Sequence, residues 1–165
     1  MTDSTASSQP AEAVEELHFR HLLVAVDGSS SSALALRAAL TVAHRDGAII
    51  TLVAVAPDMA QQIARWGAPV GYVPDSQEDL DGIAREILDA VVARLPGDVS
   101  VRTIVRRGSV ANEILAVAAE GQYDAIMLGA RGVGKVGALM GSVSHEILHR
   151  ARLPVFVAHE PASGD

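Results

Sequence analysis

Residues 129–142, GARGVGKVGALMGS, are the stretch that decides the fold. Glycine recurs in it at positions 129, 132, 134, 137 and 141, too densely for the interior of a helix or a strand. The apolar run at 123–128 before it predicts a buried parallel strand, and residues 143–152 after it predict a helix. The stretch is therefore a glycine-rich connection that leads from a strand into a helix.

A connection of this kind predicts an anion site. Exposed backbone N–H groups beside a helix N-terminus attract negative charge, and phosphate is the commonest anion bound there. Arg131 and Lys135 add positive charge to the same loop. The alternative interpretation is a flexible connection in which glycine only supplies positive φ angles.

The composition bounds the class of protein. The chain has 165 residues, enough for one domain, and its core must be aliphatic because 49% of the residues are hydrophobic and only 3% are aromatic. A net charge of -7 argues against nucleic acid as a general partner, and the lack of cysteine excludes disulfides and thiolate chemistry. No apolar run approaches the roughly 18–20 residues of a membrane span, and no secretory signal is visible. We therefore expect a soluble, cytoplasmic protein with no membrane partner.

Strand and helix patterns alternate along the chain. Apolar runs predict strands at 21–26, 48–56, 99–105, 123–128 and 153–158, and helical spacing of apolar residues predicts a helix in each interval. The third run alternates apolar and polar residues, which is typical of an edge strand. The alternation predicts a single-domain α/β fold, a doubly wound parallel sheet with helices on both faces.

The limits of the domain follow from where the patterning stops. Residues 1–17 have no clear period and predict a disordered N-terminal tail, residues 18–160 form the predicted domain, and residues 161–165 are a polar C-terminal tail. The long irregular connection at 58–75 contains Trp66, the only tryptophan. Connections of this length are uncommon, and this one is either a lid over a site or an insertion.

Asp27 marks a second part of the predicted site. In doubly wound sheets, ligands bind outside the carboxyl ends of the strands, where the winding direction reverses. The first predicted strand ends at Asp27 and the fourth ends in the glycine loop, so neighbouring positions would place Asp27 across a crevice from that loop. An acidic residue opposite phosphates suggests a divalent cation, Mg²⁺ or Mn²⁺, between them. The alternative is that Asp27 is only the first residue of a turn.

Three further motifs match known signatures without the context that those signatures need. Residues 132–137 fit the dinucleotide pattern G-x-G-x-x-G, but only one predicted strand follows them. Residues 129–135 fit the Walker pattern, but Val136 stands where a hydroxyl ligand of Mg²⁺ is required. His145 and His149 fit the zinc-hydrolase pattern H-E-x-x-H, but few residues follow that could supply a third ligand. We therefore expect neither dinucleotide binding nor zinc hydrolysis.

Four separated motifs occur in an order that resembles the universal stress protein family. They are VAVDGS at 24–29, GARG at 129–132, GSVS at 141–144 and PVFV at 154–157. The resemblance runs from about Arg20 to His159 and so covers most of the chain. It implies a five-stranded parallel sheet with strand order 3-2-1-4-5, in which the first and fourth strands are neighbours.

The resemblance also implies a nucleotide site, because ATP-binding members have the motif G-x2-G-x9-G-[ST]. Gly129 would approach the ribose and α-phosphate, Val55 would meet adenine through its backbone, and Asp27 would contact the ribose or the metal. The remaining phosphates would be held by Gly132, Gly141, Ser142 and the Val143 amide. The full set of implied site residues is Ala25, Val26, Asp27, Val55, Leu128, Gly129, Arg131, Gly132, Gly141, Ser142 and Val143.

The loop departs from the family motif by one residue. Eight residues separate Gly132 from Gly141, where the motif has nine. The shortening affects contacts to the β- and γ-phosphates more than contacts to the α-phosphate. AMP or cyclic AMP is therefore implied as well as ATP, with Mg²⁺ or Mn²⁺ accompanying the nucleotide.

The function implied by the resemblance is adenine-nucleotide binding in a stress response, with contacts to other proteins as the output. The sequence contains no evident catalytic base for the γ-phosphate, so we expect no enzyme, with ATP hydrolysis slow or absent. Family members commonly pair their fifth strands, which implies a homodimer through residues 153–158. The alternative is a dimeric interaction module that binds no nucleotide, which the shortened loop favours.

Overall fold

Runs of Val, Ile, Leu and Ala form the sheet, and polar turns separate them from the helices. The computed structural model describes residues 17–60, 76–130 and 140–160. The strands are β1 (His21–Ala25), β2 (Ile49–Ala56), β3 (Val101–Arg107), β4 (Ala125–Gly129) and β5 (Val155–Ala158). The helices of the described ranges that bear on the site are α1 (Ser30–Asp46), α2 (Gln77–Val92), α3 (Val110–Glu120) and α4 (Ser142–Arg150).

All neighbouring strands are parallel, in the order β3-β2-β1-β4-β5. The central strand β1 pairs on both sides, with Leu23 opposite Thr51 of β2 and Ile126 of β4. A strand that is paired on both sides and covered on both faces must be apolar throughout, which explains the unbroken apolar run of β1. The predicted five-stranded fold and its strand order are confirmed.

Two apolar layers cover the two faces of the sheet. Because successive strand residues point to opposite faces, Val24 lies in one layer and Leu23 in the other. Residues of α1 and α2, such as Ala39 and Leu88, fill the first layer. Residues of α3 and α4, such as Ile114 and Ile147, fill the second layer. The helices therefore lie on both faces, as predicted.

Some boundaries differ from the sequence prediction by about two residues. The third strand runs later than predicted because its ladder with β2 continues to the pair Ala56–Arg107. The fourth begins at Ala125, although Asp124 N already donates to His21 O at 2.9 Å, and the Asp124 carboxylate accepts hydrogen bonds from the backbone amides of Arg20 and His21, at 2.6 and 2.8 Å. Asp124 thus holds the start of β1 through both its backbone and its side chain.

The predicted tails and the connection at 58–75, interpreted as either a lid or an insertion, lie mostly outside the described residues. Residues 1–16, 61–75 and 161–165 belong to that part of the chain. None of the helices in the described ranges combines the length and the hydrophobicity that crossing a membrane requires.

Candidate functional site

A cavity of about 490 Å³ opens at the carboxyl edge of the sheet, where β1, β2 and β4 end. Its described walls come from these strand ends and from the nearby turns of the helices on both faces. The lining residues are Ala25, Val26, Asp27, Ser32, Val53, Ala54, Val55, Ala56, Pro57, Leu80, Ile83, Ala84, Ile87, Val110, Ile114, Leu128, Gly129, Gly141, Val143 and Ser144. The cavity therefore lies where the strand order reverses, the position at which doubly wound folds bind ligands.

The turn after β1 places Asp27 at the edge of this cavity. Gly28 has a φ of 78°, which a side chain would disfavour, and it allows the chain to turn directly into α1. The Asp27 Oδ1 atom accepts hydrogen bonds from the Ser29 amide and hydroxyl, at 3.0 and 2.6 Å. The Ser29 hydroxyl in turn accepts from the Ser32 amide and caps α1. Asp27 is therefore a turn residue and also an exposed carboxylate that lines the cavity.

The end of β2 presents backbone groups to the cavity. The ladder between β1 and β2 ends as Val26 N donates to Val53 O at 2.9 Å. Backbone groups two residues apart in a strand point to the same side, so Val55 faces the side on which β1 has already ended. Val55 also lines the cavity. Its amide and carbonyl are therefore placed to pair with a planar polar ligand.

The end of β4 lies very close to the first turn of α1. An added Cβ on Gly129 would lie 2.6 Å from the carbonyl carbon of Ser31 and 2.6 Å from the nitrogen of Ser32. Those are backbone atoms, so a side chain at this position requires the strand and the helix to separate. Glycine is thus needed here to keep β4 against α1, in addition to any approach of a ligand.

The two ends of the glycine loop are joined at its base. Gly141 N donates to Ala130 O at 2.6 Å, and the buried Ser144 Oγ is 3.0 Å from both Gly129 O and Ala130 O. Ala130 N in turn donates to Ala158 O at 2.8 Å. These contacts fix the start of α4 beside the end of β4. They also occupy the Gly141 amide, so this amide is not available to a phosphate in the arrangement described.

The start of α4 supplies the anion-binding potential of this end of the cavity. Its N-cap is Gly141, which has no side chain to cap the first turn, and the first helical hydrogen bond runs from His145 N to Gly141 O at 3.0 Å. The amides of a helical first turn have no partners within the helix and carry partial positive charge. Val143 and Ser144 lie in that turn and line the cavity.

An apolar wall faces these polar groups. Leu80, Ile83 and Ile87 project from α2, and Val110 and Ile114 project from α3. The helical spacing of apolar residues predicted the helices that carry these five side chains, but it did not mark them as part of a site. That spacing was the available signal, but it does not show which inner residues cover strands and which extend past the ends of the strands.

A polar network fixes α2 over the cavity. The Gln77 amide nitrogen donates to Pro57 O and to Asp81 Oδ1, at 3.0 and 3.1 Å, and the Met59 amide donates to Gln77 Oε1 at 2.9 Å. Asp81 is buried and pairs with the Arg107 guanidinium, with Arg107 Nε 3.2 Å from Asp81 Oδ1. The hydrogen bond from Arg107, followed by that from Gln77, lowers the pKa of the Asp81 carboxyl. The network ties the chain after β2, the start of α2 and the end of β3 together.

The cavity brings together eight of the eleven residues implied by the resemblance. These eight are Ala25, Val26, Asp27, Val55, Leu128, Gly129, Gly141 and Val143. Ser142 begins α4 beside them but does not line the cavity. Arg131 and Gly132 lie outside the described residues.

The known proteins that this chain resembles in sequence and in structure include several universal stress proteins. A universal stress protein from Mycolicibacterium smegmatis is 35% identical over 84% of this chain, which spans only 47% of that protein's length. A universal stress protein from Bacillus subtilis is 30% identical over 84% of this chain and 98% of its own length. The structure of a universal stress protein from Archaeoglobus fulgidus in complex with dAMP is 22% identical, with a TM-score of 0.63 over 86% of this chain and 99% of that one.

The family model described as the universal stress protein family matches residues 18–159, which include every strand and helix defined above. The match covers far more than half of the sequence. The chain therefore belongs to the universal stress protein family.

Proposed function

We propose that this protein binds an adenine nucleotide in the cavity at the carboxyl edge of the sheet and acts in a stress response through contacts with other proteins. The observation that supports this most directly is the division of the cavity into two unlike ends. One end has the apolar wall of α2 and α3, and the other has the start of α4 beside Gly129. A nucleotide has the same division, with a flat apolar base at one end and an anion at the other.

The base is proposed to lie against Ile83, Ile87 and Ile114, with its polar edge paired to the backbone of Val55. A mostly apolar pocket with a few placed polar groups is typical of sites for small organic ligands. The dAMP complex of the Archaeoglobus fulgidus relative supports an adenine nucleotide as the ligand class for this family member.

The phosphates are proposed to bind at the start of α4. The described lining of the cavity contains no Lys or Arg, so the backbone amides near Val143 and Ser144 would supply the positive potential on this side. Further contacts would come from Arg131 and Gly132, which are outside the described residues. Asp27 is proposed to bind the ribose or an accompanying Mg²⁺ or Mn²⁺ ion, because it is the exposed carboxylate in the described lining of the cavity.

Binding without rapid turnover is part of the proposal. Among the described lining residues Asp27 alone has an ionisable side chain, and the turn contacts with Ser29 hold its carboxylate. A general base must reach the attacking water as well as accept its proton. We therefore propose slow or absent hydrolysis, with the output passed to partner proteins in the cytoplasm and through a homodimer formed by residues 153–158.

A module that binds no nucleotide is the second candidate. The observation in its favour is the Gly141 amide, which donates to Ala130 O and is unavailable to a phosphate. The loop that is one residue shorter than the family motif favours the same candidate.

Thermal unfolding with ATP, AMP or cyclic AMP, each with and without Mg²⁺, separates the two candidates. A ligand at 100 times its dissociation constant stabilises the folded state by about 2.7 kcal/mol. The proposed site is supported if a nucleotide raises the unfolding temperature of the wild type but not of Ile83→Glu, because the substitution puts a charge in the apolar wall proposed to contact the base. Val92→Glu is the matched control, since Val92 is a similarly exposed apolar residue at the far end of α2. No shift with any nucleotide at millimolar concentration would favour the module that binds none.

A further inference from the structure

Two histidines project together from the solvent side of α4, outside the cavity. His145 and His149 are one helical turn apart, and both are exposed, whereas Ser144 and Ile147 of the same helix are buried. The Nε2 atoms of the two rings are 3.2 Å apart, and the rings meet at 62° with centroids 4.4 Å apart. The two nitrogens are therefore close enough for one ion to bind both.

The separation of these nitrogens matches that of two ligands on one metal ion. Imidazole nitrogens lie about 2.0–2.1 Å from Zn²⁺, which puts two ligands of a tetrahedral ion about 3.3–3.4 Å apart. Two adjacent ligands of a square-planar or tetragonal ion, such as Cu²⁺ or Ni²⁺, would lie about 2.9 Å apart at the same bond length. The observed 3.2 Å falls between these two values, so the spacing of the two nitrogens suits one ion.

The neighbours of the pair do not compete for the ring nitrogens. Glu146, between the two histidines, pairs with Arg150, and Arg150 also donates to Asn112 Oδ1 at 2.6 Å. In the ranges that the structure describes, no carboxylate forms an ion pair with either histidine. Within those ranges no third His, Cys, Asp or Glu joins them to make a larger ligand cluster.

We propose that His145 and His149 form a two-ligand chelate for a divalent transition-metal ion on the outer face of α4, with water completing the coordination. In the metal-free chain one ring donates a hydrogen from Nε2 to the other. When the ion binds, that hydrogen moves to Nδ1 through solvent, and both Nε2 lone pairs face the metal. With two nitrogen ligands and open positions the site holds an exchangeable ion, and it lacks the enclosed ligand set of a structural zinc site.

The nitrogen ligands predict which ions bind. Affinity should follow the usual order for such ligands, with Cu²⁺ above Ni²⁺ and Zn²⁺ and all of these above Mn²⁺. Mg²⁺ and Ca²⁺ prefer oxygen ligands and should not bind to the pair. This selectivity separates the chelate from a Mg²⁺ ion bound with a nucleotide near Asp27.

Calorimetric titration of the full chain with NiCl₂ or ZnCl₂, without nucleotide, tests the proposal. We expect one ion per chain, and a loss of affinity on the order of tenfold or more in His145→Gln and in His149→Gln. His44→Gln is the matched control, because His44 is also exposed on a helix but contacts Asp98 instead of a second histidine. Far-UV circular dichroism checks that α4 remains folded in both test variants.

Three outcomes would overturn the chelate. The first is the absence of binding at millimolar metal concentration, and the second is equal affinity in wild type and in the His145→Gln/His149→Gln double variant. The third is a ratio of one ion to two chains, which would show that the ion is shared between molecules. Because no nucleotide is present, none of these results depends on the proposed nucleotide site.

Discussion

Gly129 lines the candidate site and also lies in close contact with the backbone of α1. A Cβ at this residue would come within 2.6 Å of backbone atoms in Ser31 and Ser32. Because these are backbone atoms, the new methyl group can be accommodated only if β4 and α1 move apart. We predict that Gly129→Ala lowers the free energy of unfolding by about 1–3 kcal/mol, the usual cost of overpacking. Urea denaturation measures this change.

Gly82→Ala is the control for this prediction. Gly82 lies inside α2, and an added Cβ there meets nothing within 4 Å. Alanine should therefore raise the free energy of unfolding by about 0.5–1 kcal/mol, because glycine is the poorer helix former. If Gly129→Ala behaved like Gly82→Ala, the close contact between β4 and α1 would be wrong.

In the sequence, only the density of glycines in its loop and the family motif indicate Gly129. The packing requirement at Gly129 depends on Ser31, which is far away in the sequence and has no pattern linking it to the loop. The role of Ser144 was equally hidden in the sequence. Its hydroxyl donates to Gly129 O and Ala130 O and so joins α4 to the end of β4, two elements that no repeating pattern of residues connects. Contacts between elements set these roles, so a local pattern cannot reveal them.

The helices differ in how their first turns are capped, and the difference predicts their sensitivity to mutation. The hydroxyl of Ser29 accepts from the Ser32 amide at 3.1 Å, whereas Ser109, the N-cap of α3, makes no side-chain cap. Ser29→Ala should therefore cost about 0.5–2 kcal/mol of stability. Ser109→Ala should stay within about 0.5 kcal/mol of wild type. Equal losses, measured by chemical denaturation of both variants, would contradict the assigned cap.

The pairing of α2 with β3 predicts a loss of stability in acid. The guanidinium of Arg107 holds the pKa of Asp81 below its usual range. The stabilisation is therefore fully present above the unfolded pKa of about 3.9 and disappears as the pH falls through the folded pKa. We expect Asp81→Asn to be less stable than wild type at pH 7, with the difference closing on acidification. Urea denaturation between pH 7 and pH 2 measures it.

Asp89→Asn provides the comparison for Asp81→Asn, because Asp89 lies on the exposed side of the same helix. It changes the net charge of the chain by the same amount. A pH-dependent difference of equal size in Asp89→Asn would assign the effect to net charge and not to the contact with Arg107.

The helices and strands themselves were largely predictable. Continuous apolar runs identified the buried strands, and the helical spacing of apolar residues identified the helices between them. Boundaries were less predictable, because β3 ends where its partner β2 ends. The apolar wall of the cavity was not recognised as part of a site, since Leu80 and Ile114 have the same spacing as residues of the core.

At the scale of the whole molecule, hydrophobic patterning predicts a parallel sheet but does not fix the order of its strands. Each apolar run could in principle occupy the centre, and only the more polar third run had a preferred place, at an edge. The order came from the family resemblance, and the ladders of β1 with β2 and β4 confirm it. That order places Asp27 and Gly129 on the same cavity, which their separation in sequence alone could not establish.

The proposed homodimer depends on the outer edge of β5, which is the last strand of the sheet in the described ranges. Ile126 N donates to Pro154 O and Ala130 N donates to Ala158 O, so alternate residues of β5 face β4. By the same alternation, the backbone groups of Val155 and Val157 face away from the sheet. Phe156, beside them, is 43% exposed and contacts Phe19 edge to face at 5.8 Å. A second β5 strand could therefore pair with this edge without disturbing β4.

Val157→Pro tests this dimer without breaking the sheet. Proline removes an amide hydrogen that points outward, and proline is tolerated on edge strands when that hydrogen faces solvent. We expect light scattering after size exclusion to show a dimer for wild type and a monomer for Val157→Pro, with both chains unfolding cooperatively. Val157→Thr keeps both the amide and the branched shape, so it should remain dimeric. A monomeric wild type would rule out the dimer. A Val157→Pro variant that still dimerises would place the interface elsewhere, because pairing through this edge requires the Val157 amide.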